Sequence, residues 1–262
     1  MITIIRHFRE LWRHRALIEC LVQREVAVRY RGSALGYLWT LANPLLLLAV
    51  YSLVFRFITR AIQMPRYELF LFTGILPWLW LTSSLSNGVG SIVHGANLVT
   101  RACVPPQVLP AVSVLSNLVN FLFALPVALA AVWVAGEAPT PALLWLPVLI
   151  LLELAFLYGV TLLLATWAVP LRDMQFLVQN AVLIGFFVTP IAWPLAMAPA
   201  GLRAWMVVNP AASLIVPFQR VLLEHRSPEP EQLLLSTGWA LAAIGLAVLS
   251  FESSRDGIPE RL

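Results

Sequence analysis

The sequence has no lysine, and all 17 of its basic residues are arginine. Charge is scarce altogether: Asp, Glu, Lys and Arg make up 11% of the 262 residues, whereas 60% are hydrophobic and the mean hydropathy is +0.84. A soluble domain of this length could not bury so much apolar surface, so an all-α integral membrane protein is expected instead. Cysteine is nearly absent. Cys20 and Cys103 both fall in segments expected in the cytoplasm, which argues against a disulfide. His7, His14, His94 and His225 lie in separate segments, without HxxxH or CxxC spacing, so no metal centre is expected. No GxxxxGK[ST] loop occurs, which excludes nucleotide binding and hydrolysis in the usual way. Residues 1–25 carry charge throughout, with no short basic patch followed by an apolar block, so no cleavable signal peptide is expected. No internal repeat stands out, which leaves an inverted-repeat carrier without support.

What the chain does have is long apolar runs. Six transmembrane helices are expected: residues 34–57, 69–93, 107–135, 142–168, a fifth that begins near Phe176 and meets Pro190 and Pro194, and 232–251. About 20 helical residues, each rising about 1.5 Å, cross a hydrocarbon layer of roughly 30 Å. Two shorter apolar pieces, 198–208 and 211–223, flank Asn209-Pro210; too short to cross, they read as two re-entrant helices between spans five and six. The chain therefore divides into a cytoplasmic amphipathic interfacial helix (1–33), a six-span transmembrane domain (34–251) and a cytoplasmic tail (252–262).

In the first of these, Ile4, Ile5, Phe8, Leu11, Trp12, Ile18, Val22 and Val26 share one side of a helix, with Arg6, Arg9, Arg13 and Arg24 opposite. Seven arginines precede the first span. Counted over the whole topology, 11 arginines lie inside and 6 outside, which places both termini in the cytoplasm. Basic residues here signal membrane surface and topology, not nucleic acid, because no basic and aromatic face recurs beyond the arm.

Several stretches in order carry a resemblance. Arg24-Glu25 precedes VRYRGSALGYLWTLANPLL, then come LFTGILPWLW (71–80), a proline-bearing loop before span three, Arg172-Asp173, Thr189-Pro190-Ile191 and Asn209-Pro210. Together they resemble the type-2 ABC exporter permeases that move lipid-linked polysaccharides, the O-antigen and teichoic acid branch. The chain departs from that pattern at RACVPP (101–106), where family members usually carry a basic residue followed later by Phe-Pro.

The resemblance implies a homodimer of six-span subunits in the cytoplasmic (inner) membrane, with a polymer channel on the two-fold axis and two copies of a separate ABC ATPase. ATP and Mg would be bound by that partner, with no cofactor in this chain, and the process served would be O-antigen export in lipopolysaccharide biosynthesis. A sugar chain offers hydroxyls and apolar ring faces, which suit aromatic platforms and neutral hydrogen-bonding groups. Tyr37, Trp39, Tyr51, Trp78, Trp80, Trp193, Asn43, Asn117 and Asn120 are the candidates for such a lining. The same residues also read as interface anchors (Trp78, Trp80, Trp193) and interhelical hydrogen-bonding groups (the asparagines).

Arg29 and Arg31 are candidates for a diphosphate-lipid headgroup, with the anionic leaflet itself as the ordinary partner of most of the arm's arginines. Arg24, Glu25, His94, Arg101, Arg172 and Asp173 are candidates for contact with the ATPase; Arg172 and Asp173 also read as a local helix-end pair. Glu153, alone among the spans, is expected to be a buried carboxyl hydrogen-bonded to a neighbouring helix. Two other functions fit less of the chain: a drug or small-lipid exporter of the same superfamily, and a membrane-embedded glycolipid transferase. The transferase would need acidic groups near the interface, and Glu153 is too deep and too solitary to serve.

Overall fold

The structure, a computed structural model, describes residues 2–32, 36–54, 66–136 and 140–262. Every regular element among these is helical. The amino-terminal arm is two helices, α1 (Ile2–Arg13) and α2 (Arg15–Tyr30), where the periodicity predicted one. The chain turns at His14, whose imidazole Nδ1 lies 2.8 Å from the Glu10 carbonyl oxygen, so a side chain occupies an acceptor at the end of the first helix.

Four stretches are long and apolar enough to cross a bilayer. They are α4 (Tyr67–Gly88), α7 (Val108–Val134), Pro141–Ala168, which contains α8 (Leu146–Ala168), and Pro230–Arg261, which contains α12 (Pro230–Ser254). The first predicted span appears as α3 (Trp39–Leu53), and residues on both of its flanks lie outside the described part, as do most of the predicted external loop 60–68 and half of the turn 136–141. The fifth appears as α9 (Met174–Val188). At 15 residues it rises about 22 Å if straight, short of the roughly 30 Å hydrocarbon layer. Its end has a local cause: Thr189 is extended because the following Pro190 disfavours helical geometry in the residue before it.

Beyond the bend come α10 (Ala200–Val208) and α11 (Pro210–Leu223). Asn209 caps the second of these, its Oδ1 accepting the Ala211 N–H at 3.0 Å while Pro210 takes the first helical position. α11 is buried among α4, α8 and α12.

The loop predicted at 94–106 is partly helical: α5 (Ser91–His94) ends at its first residue and α6 (Ala96–Thr100) lies within it, ahead of α7. The tail is folded too. α12 runs on to Ser254, a tight turn follows at Arg255–Gly257, and α13 (Ile258–Arg261) lies near α6 with Ile258 buried.

These elements have two ends. At one, α1 is fastened to the end of α12 by Arg6–Glu252 and Glu10–Arg255, each at 2.6 Å, and His7 Nε2 lies 2.6 Å from the Tyr158 hydroxyl of α8. The arm, α5, α6 and α13 gather here. At the opposite end the Tyr67 hydroxyl donates to the Ala192 carbonyl at 2.8 Å, and Gln219 of α11 donates to the carbonyls of Phe70 and Ile191. The core between is built on α4, α7, α8, α11 and α12. Its tightest seam is α8 against α12. A Cβ on Gly159 would stand 2.6 Å from the Ala243 carbonyl carbon, so the two backbones touch through a residue without a side chain.

Candidate functional site

Arg29 on α2 stands between two cavities and lines both. The inner cavity, of about 280 Å³, is lined by residues of α2, α3, α4 and α7. Its aromatic wall is Trp39 and Trp80, backed by Phe121; its polar groups are Asn43, Ser83, Asn117 and Asn120. Trp80 is fixed on both sides of its ring system. The indole N–H donates to the Val114 carbonyl at 3.3 Å, and the ring stacks on Phe121 with centroids 5.1 Å apart.

Asn117 is almost fully buried, and its amide is oriented by its own helix. Nδ2 donates to the Ser113 carbonyl one turn back at 2.8 Å, which turns Oδ1 toward Arg29. The Arg29 guanidinium donates to that oxygen at 2.9 Å and, through its other nitrogen, to Glu25 at 3.3 Å. Burial raises the Glu25 carboxyl above the ordinary glutamate range, against the lowering effect of Arg29 and of the Ser116 hydroxyl.

The second cavity, about 510 Å³, lies at the arm end of the bundle between α2, the end of α4, α5 and the start of α7. Arg24, Glu25, Ser86, Asn87 and His94 face it alongside Arg29. His94 is tied across to α9, with Gln175 Nε2 at 3.3 Å from its Nε2. The two chambers thus differ in character: the one nearer the arm is wide and holds charged groups, the one deeper in the bundle is narrow, aromatic and amide-bearing.

Of the residues singled out in the sequence, Trp39, Asn43, Trp80, Asn117, Asn120 and Arg29 meet around the inner cavity, and Arg24, Glu25 and His94 meet in the outer one. Others stand apart. Trp78 occupies another face of α4, its ring 6.0 Å from that of Phe186 on α9. Trp193 is half-buried in the bend after α9, at the opposite end from the arm. Arg31 is exposed in the turn after α2, and Arg101 is exposed before α7. Arg172 and Asp173 are exposed at the start of α9, where Asp173 holds the cap position without a side-chain cap bond. The side chains of Tyr37 and Tyr51 lie outside the described part.

Ser83 and Phe121 are among the members of the cavity wall that escaped the sequence reading. Ser83 lies three residues after Trp80 and Phe121 four after Asn117, the spacing that puts each on the same helix face as its neighbour. Glu153 needs a correction. It is fully buried on α8, but neither carboxyl oxygen has a hydrogen-bond partner among the described residues, so the expected bond to a neighbouring helix is not made. Its neighbours in the core, Leu149, Phe156 and Leu157, offer no donor from their side chains.

Long apolar helices around a polar, aromatic cavity define a polytopic membrane protein of the transport kind. The chain belongs to the ABC-2 type transporter family, which it matches over residues 16–223. It is 38% identical over 261 residues to the O-antigen export system permease protein RfbA of Myxococcus xanthus, covering 99% of this chain and 100% of that one. With the protein of the same name from Klebsiella pneumoniae the identity is 31%, over 89% of this chain and 91% of that one. The polysialic acid transport protein KpsM of Escherichia coli is 24% identical over 76% of this chain and 78% of its own length. The protein is therefore an integral membrane ABC-2 type transporter component.

Proposed function

We propose that this chain is the permease subunit of an ATP-driven exporter that moves lipid-linked polysaccharide of the O-antigen type across the cytoplasmic membrane. The chain is not itself an enzyme; ATP and Mg belong to a separate ATPase, two copies of which would dock on a homodimer of this subunit. The observation that carries the reading is the inner cavity. Stacked aromatic faces beside neutral amides and a hydroxyl suit a sugar ring, which presents apolar faces and hydroxyls, and among the described residues no carboxylate lines that cavity. Full-length similarity to O-antigen export permeases points the same way.

In this reading the subunit has six spans, with α3 and α9 as the first and fifth, and α10 and α11 re-entering from the outer face. Burial of α11 inside the bundle supports that placement, since a short helix can sit at membrane depth where protein surrounds it. The arm lies along the cytoplasmic surface, and its ion pairs with the end of α12 support having both termini on that side. The outer cavity, with Arg24, Arg29 and His94, would meet the anionic head of the lipid carrier, and Arg29 would separate that entrance from the sugar path. The exposed Arg101, Arg172 and Asp173, with α5 and α6, form the surface offered to the ATPase.

Purification of the chain with a candidate ABC ATPase subunit tests the assignment directly. A stable complex whose ATP hydrolysis rises on addition of the lipid-linked glycan is expected. A stable monomer that never associates with a nucleotide-hydrolysing subunit would overturn it.

A further inference from the structure

A groove of about 690 Å³ runs beneath the arm, between α1 and α2 above and α7, α8 and α12 below. It is separate from the two cavities at Arg29. Its walls are apolar, including Leu115, Leu118 and Leu122 of α7 and Leu151 and Ala155 of α8; the charged groups that border it are Arg15 and Glu19, both on the arm. The groove reaches along α7 from Ala111 to Leu122, a length of about 16 Å at the helical rise. Half of a hydrocarbon layer of roughly 30 Å is about 15 Å, so the groove has the depth of one leaflet. Its shallow end is the arm end, because Leu11, Ile18 and Val22 pack on Val104, Val108 and Val112 at the start of α7.

An apolar trough of leaflet depth, open to the side, is filled by hydrocarbon when the protein is in a bilayer. Which hydrocarbon is decided at the rim. The Arg15 guanidinium lies 5.3 Å from the centroid of the Trp12 ring, and Trp12 is 69% exposed, the pairing of a cation and an indole that suits the headgroup level. Glu19 accepts a long hydrogen bond from Gln23, one turn further on. Across the arm the balance is positive, with seven arginines against Glu10, Glu19 and Glu25.

We propose that the groove holds an acyl chain of an anionic phospholipid from the cytoplasmic leaflet, with Arg15 on its phosphate and Trp12 beside the glycerol. This rests on the arm lying at the cytoplasmic surface, but not on what the transporter carries. The bound lipid is a wedge that keeps the arm at a fixed distance from α7 and α8.

Native mass spectrometry and thermal melts of the purified full-length chain, with phosphatidylglycerol or phosphatidylcholine of identical acyl chains, test the site. Phosphatidylglycerol is expected to be retained at one per chain and to raise the Tm more than phosphatidylcholine. Arg15→Gln is expected to weaken that retention about fivefold, the worth of one arginine at an anionic surface, while leaving the lipid-free melt unchanged. Ala155→Trp, which fills the groove, is expected to abolish retention of both lipids; should that variant fail to fold, Arg15→Gln decides alone. Equal retention of the two headgroups, or no loss in Arg15→Gln, overturns the proposal. So does preferential retention of a polyprenyl diphosphate, which would make the groove a seat for the cargo's lipid anchor.

Discussion

At the scale of single residues, the contact between Arg29 and Asn117 joins positions 88 residues apart and sets the wall between the two cavities. It is a charge-to-neutral hydrogen bond, strong enough to close and weak enough to open. Asn117→Asp keeps the volume, gives up the donation to the Ser113 carbonyl and makes the bond to Arg29 charge-to-charge; at a net strengthening of about 1.4 kcal/mol, passage that requires the bond to part should slow about tenfold. Surface polysaccharide per cell, at matched protein levels, checks this; Asn117→Ser should stay near the parent, and an unchanged Asp variant would remove the contact from the path. Glu153 makes the opposite point. Its carboxyl is buried and unpaired, which costs free energy wherever it occurs. Glu153→Gln should leave export nearly intact and Glu153→Met should raise the Tm of the purified protein; a severe export defect with normal assembly would give the carboxyl a role in transport.

At the scale of elements, the arm is held by unlike bonds. The ion pairs of Arg6 with Glu252 and of Glu10 with Arg255 are partly exposed and contribute little. The buried contact of His7 with the Tyr158 hydroxyl does more. Burial lowers the His7 pKa below the ordinary imidazole value; the carboxylates of Glu252, 4.0 Å from its Nδ1, and Glu10 oppose that shift, and Arg255 reinforces it. The docked arm thus favours the neutral ring. Docking is complete above the ordinary imidazole pKa and weakens as pH falls through the lowered one. Protection of the amides of residues 2–13, measured relative to the intrinsic exchange rate at each pH, should accordingly be lower at pH 5 than at pH 7.5. Tyr158→Phe should lower it at both, by removing a bond of about 1–2 kcal/mol, and protection factors indifferent to pH would separate His7 from docking.

How far these elements could be read in advance follows from what each is made of. The helices α4, α7, α8 and α12 are visible as apolar runs, and the break between α10 and α11 is written in Asn209-Pro210. The turn at His14 is not visible, because α1 and α2 share one apolar periodicity and the break is made by an imidazole reaching back to a carbonyl. The folded tail was masked by its charges: in ESSRDGIPERL, Ile258 and Leu262 lie one turn apart but are outnumbered by polar neighbours. In the site, residue type pointed to Trp39, Trp80 and the asparagines. No local pattern could say that Trp78, two residues from Trp80, faces α9 instead.

At the scale of the whole molecule, the seam between α8 and α12 bears most on stability. Gly159→Val would drive a branched side chain into the Ala243 and Ile244 backbone, where no flexible group can yield. Such overpacking costs about 1–3 kcal/mol, and a lowered Tm with reduced yield of folded protein in detergent is the expected result; a parent-like melt would mean that the two helices part easily. That seam also limits how the bundle can move. Sliding α8 along α12 by one position would bring Tyr158 or Val160 to the point where only a hydrogen atom fits. The pair must therefore travel as one rigid strut, and any widening of the inner cavity has to be taken up elsewhere, at the margins formed by α3 and α9, where Leu45, Leu46, Leu177, Leu183 and Ile184 stand exposed on the outside of this subunit.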